Sequence, residues 1–212
     1  VGTWGINNNA IEQTDEVSTA AANTNIYASL TQNLSNRYLY NFKGKLEGAG
    51  TNRRAGFHFF CDAPDSVNRG NSYFVWFRLD NQAVQIYKTS YSGGVNVFGS
   101  PTYTAACNLT AGQWYDFKVI YDRITGKITV YKDNSIIATW TDPTPLSNGT
   151  HISFRSGNCK WSLDEIKVYR SRPTASVSVS VGSGNANDVR YQNPNPTQFA
   201  AKVKSIVNDS VG

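Results

Sequence analysis

Apolar and polar residues alternate along most of the chain up to Arg170, and the alternating runs stop at Gly, Asn or Asp. The clearest example begins at Gly112, where short turns such as Ile124 to Lys127 separate segments of strand length. A period of two places apolar side chains on one face of a β-strand, and Gly, Asn and Asp are typical of the turns between strands. The pattern therefore predicts an all-β protein whose antiparallel strands each bury one face.

The same alternation predicts strands in the first half of the chain. Arg37 to Glu47 is one of them, and its buried face carries Tyr38, Tyr40, Phe42, Gly44 and Leu46. A glycine among buried strand positions indicates a bulge or a close backbone approach. Ala55 to Cys61 and Ser72 to Leu79 are the two segments richest in aromatic residues, whereas Ser90 to Cys107 is irregular. No segment before Pro173 shows a helical period, which favours a protein without helices.

The sequence changes character after Arg172. Serine and valine alternate between Ala175 and Val181, turn-forming residues follow, and aromatic side chains become scarce. Because such a tail cannot form a core by itself, we predict one β-sandwich in residues 1–171. Residues 172–212 are then a linker with the opening part of a following domain. The chain begins at Val1 and contains no methionine, so we expect it to be a processed piece of a longer product.

Composition and charge narrow the class of protein. Aromatic residues make up 13% and charged residues 17% of the chain, which also contains 17 glycines, and this favours an extracellular β-protein. The formal net charge is +5, but the basic residues are scattered and no run of Lys or Arg could follow a nucleic-acid backbone. No apolar stretch approaches the roughly 18 residues that a membrane span requires. We therefore expect neither nucleic acid nor a membrane span.

The three cysteines leave the redox chemistry open. Cys61, Cys107 and Cys159 allow one disulfide with one thiol left over, or three free buried thiols. They lack the paired spacing that is typical of a zinc site. The sequence does not decide which pair would form a bridge.

Several segments together resemble the concanavalin A-like lectin/glucanase superfamily in its laminin G-like version. They are Trp4 with Ile11 to Gln13, Asn25 to Tyr27, Ala55 to Phe60, Asn71 to Trp76 and, most strongly, Gly112 to Val119 and Leu163 to Tyr169. The resemblance covers roughly residues 1–171. It implies a jelly-roll sandwich of two antiparallel sheets, in a superfamily whose members mostly hold sugars.

A tighter similarity is to modules of large secreted proteins from Bacteroidetes-type bacteria, which often lie beside hydrolase domains and before Ig-like repeats. This similarity implies that residues 172–212 open an Ig-like segment and that the partners include neighbouring domains of a longer chain. It also implies a secreted or cell-surface location. It implies no single activity, because a fold does not determine a function.

Strand alternation also assigns a candidate ligand face. When the apolar sets are placed in the core, a leftover set lies on the outer face of one sheet: His58, Trp76, Arg78, Gln85, Tyr87, His151 and Arg155. Aromatic rings beside arginine donors suit sugars, which have apolar faces and polar edges. The two arginines Arg78 and Arg155 favour an acidic glycan.

The same residues have structural interpretations that involve no ligand. Trp76 could simply cover the sheet, and Arg78 could pair with a neighbouring carboxylate. A loop such as Ser90 to Cys107 could also lie over this face and bury it. For each single residue these alternatives stay open, whereas the set as a whole favours a sugar.

The sequence argues against catalysis by this module. Glucanases of this fold resemble one another in a strand that carries Glu-x-Asp-x-x-Glu, whose carboxylates act as nucleophile and general acid, and that motif is absent here. Asp164 and Glu165 form the nearest acidic pair. Adjacent residues of a regular strand point to opposite faces, so we expect that this pair cannot flank one bond.

One loop suggests a metal. Asp62, Asp65 and Asn68, together with Asn71, provide oxygen ligands of the kind that Ca²⁺ prefers. The spacing is not that of an EF-hand, and Asp and Asn are also the usual residues of turns. The sequence therefore predicts a calcium site that competes with a purely structural loop.

Taken together, these features predict a non-catalytic carbohydrate-binding or adhesion module whose partner is a glycan or polysaccharide. A glycoside-active enzyme of the same fold is one alternative, which release of reducing sugar would reveal. A structural or protein-binding module is the other, since laminin G-like domains often act in this way.

Overall fold

The computed structural model describes residues 2–16, 24–66, 68–92, 95–97 and 99–171, with no side chains given for residues 91–98. Residues 1–171 form one compact unit. The predicted linker and Ig-like segment, residues 172–212, lie outside the described residues, so this division of the chain stays a prediction. Every regular element in the described part is a β-strand. No helix there could cross a membrane.

Fourteen strands make up the described part of the chain. In order they are β1 (Trp4–Asn7), β2 (Ala10–Gln13), β3 (Thr24–Ser29), β4 (Arg37–Glu47), β5 (Arg54–Cys61), β6 (Ser72–Arg78), β7 (Ala83–Ser92), β8 (Val95–Val97), β9 (Tyr103–Ala106), β10 (Trp114–Asp122), β11 (Lys127–Lys132), β12 (Ser135–Thr141), β13 (His151–Gly157) and β14 (Lys160–Arg170).

The strands form two antiparallel sheets. The first sheet has the order β1-β2-β14-β4-β10-β11-β12. The second has the order β3-β13-β5-β6-β7, and β7 pairs further with β9 along its first residues and with β8 along its last. The predicted all-β sandwich of two antiparallel sheets is therefore confirmed. The segment predicted to be irregular contains β8 and β9, and β9 extends the edge of the second sheet.

An aromatic core joins the two sheets, with Phe42 of β4 near its centre. The Phe42 ring lies 5.2 Å from Phe154 and 5.4 Å from Phe57, both in the second sheet, measured between ring centroids. Within its own sheet it lies 5.7 Å from Phe117 and 6.3 Å from Trp161. Tilted and edge-on pairs at these distances stabilise beyond the burial of their area. Strand alternation thus delivers one shared core, as the sequence predicts.

Gly44 is a close backbone approach, one of the two possibilities predicted for it. A Cβ atom at Gly44 would lie 3.1 Å from Nε1 of Trp161 and 3.2 Å from the ring of Phe117. The absence of a side chain therefore lets two large rings pack against β4 at this position.

The predicted position of Phe60 on the outer face is wrong. Phe60 has a positive φ of 56°, and the pairing of β13 with β5 shifts register beside it. This bulge breaks the alternation and turns the ring into the core, where it packs edge-on against Tyr121 at 4.8 Å. A bulge re-aims a side chain in this way because two residues on one strand oppose one on its partner.

A buried carboxylate ties the loop after β12 to the second sheet. Asp142 is 3% exposed and its Oδ2 accepts a hydrogen bond from the Tyr73 hydroxyl at 2.6 Å. The same oxygen forms an ion pair with Nζ of Lys88 at 2.7 Å. Burial raises the pKa of Asp142, but the hydrogen bonds from Lys88 and Tyr73 outweigh it, so that its pKa lies below the usual value.

We predict that this carboxylate makes the fold sensitive to acid. A carboxyl whose pKa is lowered by folding stabilises the folded state above its unfolded pKa of about 3.9 and loses that contribution as the pH falls through the lower folded value. Asp142→Asn should cost roughly 2 to 4 kcal/mol at pH 7, at the lower end for an ion pair whose lysine is partly solvated. Urea denaturation at pH 7 and pH 3 measures both effects.

The control for this prediction is Asp133→Asn, since Asp133 is exposed and lies in the turn after β11. It should change the free energy of unfolding little at either pH. Equal loss of stability on acidification in the wild type and in Asp142→Asn would contradict the role given to Asp142.

Candidate functional site on the outer face of the second sheet

The register of the second sheet brings most of the predicted ligand residues together. One row across the strands contains Arg155 of β13, Gly56 of β5, Trp76 of β6 and Gln85 of β7. The next row contains Ser153, His58, Phe74 and Tyr87. We call this side of the sheet, which faces away from the aromatic core, the outer face. Four strands separated in sequence thus supply adjacent side chains.

Two of the predicted residues lie at opposite ends of this face. Arg78 pairs with Arg54 one row beyond Trp76, whereas His151 pairs with Ser29 one row beyond Ser153. The distance between these end rows is roughly 20 Å, because each row adds two residues along a strand. A single sugar unit cannot touch both ends.

An aromatic cluster forms the middle of the outer face. Phe74, Trp76 and Tyr87 pack together there, separately from the main core. The rings of Phe74 and Trp76 lie 4.4 Å apart, and His58 stacks on Phe74 with ring centroids 3.9 Å apart. Phe74 was not among the predicted site residues. The alternation of β6 was sufficient to find it, because Phe74 opposes Tyr73 on that strand.

Gly56 makes room for the Phe74 ring. A Cβ atom at Gly56 would lie 2.5 Å from that ring and still closer to the carbonyl oxygen of Val75. The glycine is fully buried in a central strand, where a side chain would be expected to pack. Its absence therefore lets an aromatic ring lie flat across β5 in the middle of the outer face.

Arginine side chains surround the aromatic cluster. The guanidinium carbons of Arg54 and Arg155 lie 5.5 Å and 5.7 Å from the centroid of the Trp76 ring. Arg155 also lies 5.9 Å from the ring of Phe74. Such contacts attract a cation to the negative face of an aromatic ring. Arg54 is a site residue that the sequence prediction left out, although alternation had placed it on this face.

We call this set the arginine–aromatic cluster: Arg54, His58, Phe74, Trp76, Arg78, Tyr87 and Arg155.

The cluster concentrates positive charge in a poorly hydrated place. Burial, together with the nearby charges of Arg69 and Arg54, lowers the pKa of Arg155 to about 9. Burial also lowers the pKa of Arg69 to about 10. For Arg54 the pKa is lowered first by burial and then by the charge of Arg78. Several arginines therefore repel one another across this face, a situation that a bound anion would relieve.

His58 is a neutral member of the cluster. Burial lowers its pKa well below the usual value, and the charges of Arg155 and Arg69 lower it further. Its Nδ1 lies 3.1 Å from the hydroxyl of Ser72, and its Nε2 has no hydrogen-bond partner within the described part of the chain. His58 thus contributes a flat ring and an unused polar atom, but no charge at neutral pH.

Arg78 has the neighbouring carboxylate that one structural interpretation foresaw. Its Nε donates to Oδ1 of Asp80 at 2.9 Å, and its Nη2 binds the other oxygen of the same carboxylate. Its Nη1 donates to Oε1 of Gln85 at 3.3 Å, and the Tyr87 hydroxyl donates to that same oxygen at 3.1 Å. The bond to Asp80 raises the pKa of Arg78. A fork that is fixed in this way presents its remaining edge in one orientation.

Burial decides which members of the face a ligand could touch. Trp76 is 4% exposed and Arg155 is 3% exposed, so neither offers the free surface that the sequence suggested. Arg54, Arg78 and His151 are half-buried. The Trp76 ring is therefore a support for guanidinium groups, and the accessible chemistry lies at the ends of the face.

His151 belongs to a separate group at the β3 edge. Its ring meets Tyr27 edge-on at 5.6 Å, and Tyr27 is 44% exposed. The Tyr27 hydroxyl donates to Oδ1 of Asp65 at 2.8 Å. Tyr27 is an accessible aromatic residue that the prediction did not include, because alternation on so short a strand does not reveal exposure.

The loop predicted to bind calcium uses its oxygens within the protein. Both carboxylate oxygens of Asp62 accept hydrogen bonds from Asn71, at 2.8 Å from its backbone N–H and 2.6 Å from its side chain. Oδ1 of Asn68 accepts from Arg155 at 3.1 Å, and Asp65 accepts from Tyr27. Among the described residues, no three His, Cys, Asp or Glu side chains are grouped as a metal site requires. Calcium at Asp62, Asp65 and Asn68 stays a prediction.

The acidic pair of β14 does not follow strand alternation. Glu165 has a positive φ of 49° at a bulge between Asp164 and Lys167, and its Oε1 accepts from Nζ of Lys43 at 2.6 Å. Asp164 pairs with Lys43 across the strands, so both carboxylates lie on the solvent side of the first sheet. The expectation of opposite faces is wrong. The bond from Lys43 lowers the pKa of Glu165, whereas a general acid needs a raised one.

All three cysteines are free and buried. Burial raises the pKa of Cys107 to about 11 and that of Cys159 to about 12, so neither thiol forms a reactive thiolate at neutral pH. Of the two possibilities left open by the sequence, the structure has the free thiols.

Comparison with known proteins adds information on the fold. No family model matches the chain, and no curated protein matches it. Solved structures do match. A carbohydrate-binding module, CBM66 from Bacillus subtilis, is 13% identical with a TM-score of 0.61, over 79% of this chain and 91% of that one. A Bacillus subtilis protein of unknown function with a galectin-like fold is 13% identical with a TM-score of 0.60, over 80% and 87%.

The carbohydrate recognition domain of Emp46p, in its potassium-bound form, is 12% identical with a TM-score of 0.57, over 78% of this chain and 85% of that one. Identities this low show the fold alone. The fold is a galectin-like jelly roll, which is consistent with the concanavalin A-like superfamily that the sequence resembles.

We predict that Gly56→Ala disrupts the centre of the outer face. The added methyl would press on the Phe74 ring and the Val75 carbonyl, and overpacking of this kind costs about 1 to 3 kcal/mol. Urea denaturation should show that loss, and near-ultraviolet circular dichroism should report a change in aromatic packing.

Gly5→Ala is the matched control, because a Cβ atom at Gly5 meets no atom within 4 Å. It should leave both measurements close to the wild type. If Gly56→Ala were as stable as Gly5→Ala, the close packing of Phe74 on Gly56 would be refuted.

Proposed function

We propose that this chain contains a non-catalytic carbohydrate-binding module whose outer face binds an acidic glycan. In this role the module belongs to an exported, multidomain protein of the laminin G-like kind, secreted or held at the cell surface. It keeps neighbouring domains close to a polysaccharide, because tethering raises the effective concentration of an attached domain at its target.

The observation that carries this proposal is the arginine–aromatic cluster on a sheet face that does not belong to the core. Guanidinium groups bind carboxylates through two parallel hydrogen bonds, and aromatic rings hold the guanidinium planes in place. Arg54 and Arg155 both lie against Trp76. A uronic acid or sulfated sugar supplies both the anion and the polar edges that such donors recognise.

Arg54 is the residue best placed to contact the ligand. It is half-buried, and its Nε has no hydrogen-bond partner within the described residues. It stands beside Arg78 on the neighbouring strand, whose fork is already fixed by Asp80. An anion bound between these two arginines satisfies the unused donor and reduces their mutual repulsion. Trp76 keeps Arg54 in position.

The matched structures support a role in binding carbohydrate. The CBM66 module and the Emp46p domain are described by their names as carbohydrate-binding and carbohydrate-recognition domains. Their likeness concerns the fold, so the ligand of this chain has to be argued from its own residues. The ionised state of Glu165, held by Lys43, supports a non-catalytic module.

We predict that Arg54→Ala weakens binding to an acidic polysaccharide such as polygalacturonate by about tenfold or more. A hydrogen bond to a charged group contributes about 1.5 to 3 kcal/mol, and about 1.4 kcal/mol corresponds to a factor of ten. Affinity electrophoresis with polygalacturonate, and with a neutral polysaccharide for comparison, measures the change.

Arg37→Ala is the matched control. Arg37 also lies on a strand and pairs with an aspartate, Asp122 at 3.0 Å, but it belongs to the first sheet. It should bind as the wild type does. Unchanged retardation of Arg54→Ala would refute the proposed face. Release of reducing sugar would indicate an enzyme, and binding to a protein partner without binding to any glycan would indicate a structural module.

A further inference from the structure

A second cleft lies on the solvent side of the first sheet, away from the arginine–aromatic cluster. Its volume is about 410 Å³, and it is lined by Lys43, Trp114, Tyr115, Asp116, Asp133 and Asp164. Strand register explains how these residues meet. Asp116 of β10 and Asp164 of β14 both pair with Lys43 of β4, and Trp114 lies two residues before Asp116. Neither the predicted ligand face nor the proposed function uses this cleft.

Trp114 provides an accessible aromatic surface in this cleft. It is 40% exposed, whereas Trp76 and Trp161 are buried and the remaining two tryptophans are half-buried. Nζ of Lys45 lies 5.5 Å from its ring centroid at one side. An exposed indole at the start of a strand gains little from packing. It offers the flat apolar surface on which the C–H face of a sugar ring stacks.

The carboxylates of the cleft carry charge that the protein does not neutralise. Asp133 accepts the backbone N–H of Asp116 at 2.9 Å, and Asp164 accepts that of Glu165 at 2.7 Å. Neither carboxylate forms an ion pair with any described residue.

The lysines nearby are already paired. Nζ of Lys43 binds Glu165, that of Lys45 binds Glu47 at 2.6 Å, and that of Lys118 binds Asp116 at 3.2 Å. The cleft therefore has an excess of negative charge beside an open indole, whereas the outer face of the other sheet has an excess of positive charge.

We propose that this cleft is a second ligand site, which binds a pyranose chain bearing protonated amines, such as an oligomer of glucosamine. Trp114 stacks on one sugar ring, and the ammonium groups bind the carboxylates of Asp133 and Asp164. An ammonium near an indole gains a further attraction to the ring. Because Asp164 and Asp116 are two strands apart, roughly 10 Å, a linked chain can reach groups that one sugar unit cannot.

This site is independent of the proposed function, since it shares no residue with the arginine–aromatic cluster. The unneutralised carboxylates decide the charge of the ligand: an acidic glycan would be repelled here. The exposed indole favours a sugar over a simple inorganic cation, because a cation alone would gain nothing from an apolar ring edge and a cleft of this size.

The test is titration of the full chain with a short glucosamine oligomer, followed by ¹H–¹⁵N spectra of the tryptophan indole groups. The Trp114 signal is identified by its absence in Trp114→Ala. We expect this signal to shift on addition of the oligomer. The affinity should fall about tenfold or more in Trp114→Ala and at least severalfold in Asp164→Asn, and added salt should weaken binding because it screens the charges.

Matched controls separate this site from the other one. Asp65→Asn removes an exposed carboxylate near the second sheet, and Arg54→Ala alters the arginine–aromatic cluster; both should bind the glucosamine oligomer as the wild type does. The proposal is overturned if the Trp114 signal does not move, or if Asp164→Asn binds normally. Equal affinity for the fully N-acetylated oligomer would overturn the role of the amine. Tighter binding of a lysine-rich peptide than of the sugar would indicate a protein partner instead.

Discussion

The contact of Phe42 with rings from both sheets is the interaction on which the rest of this structure depends. Phe57 and Phe154 approach it from the second sheet, and Phe117 and Trp161 surround it within the first. Close packing of large rings allows only one register between the strands that carry them. Because strand side chains alternate, a register that fixes the inner rings also fixes every residue on the two solvent sides.

Bulges are the points where this simple relation fails. At Phe60 a positive φ turns an outward position into the core, and at Glu165 it keeps two successive carboxylates on one side of the sheet. Each bulge thus changes the chemistry of a surface without changing the residue types. The second one provides Lys43 with a partner, which in turn leaves Asp164 free of an ion pair.

The two solvent sides differ in both charge and access. On the second sheet, arginines are held against buried rings, and Gly56 provides the space that this packing requires. On the first sheet, an exposed indole lies beside unneutralised carboxylates. A module with one positive and one negative surface can discriminate between glycans of opposite charge, since like charges repel at each site.

The sequence alone determined the all-β fold, the face assignment of most strands and the group around Trp76. Alternation is a local property, so no knowledge of distant residues is needed to read it. Only the tertiary structure decided that Trp76 and Arg155 are buried and that Trp114 is exposed. Burial depends on which other segments cover a strand. Bulges likewise arise from pairing with a neighbour, and Phe60 carries no local sign of its own.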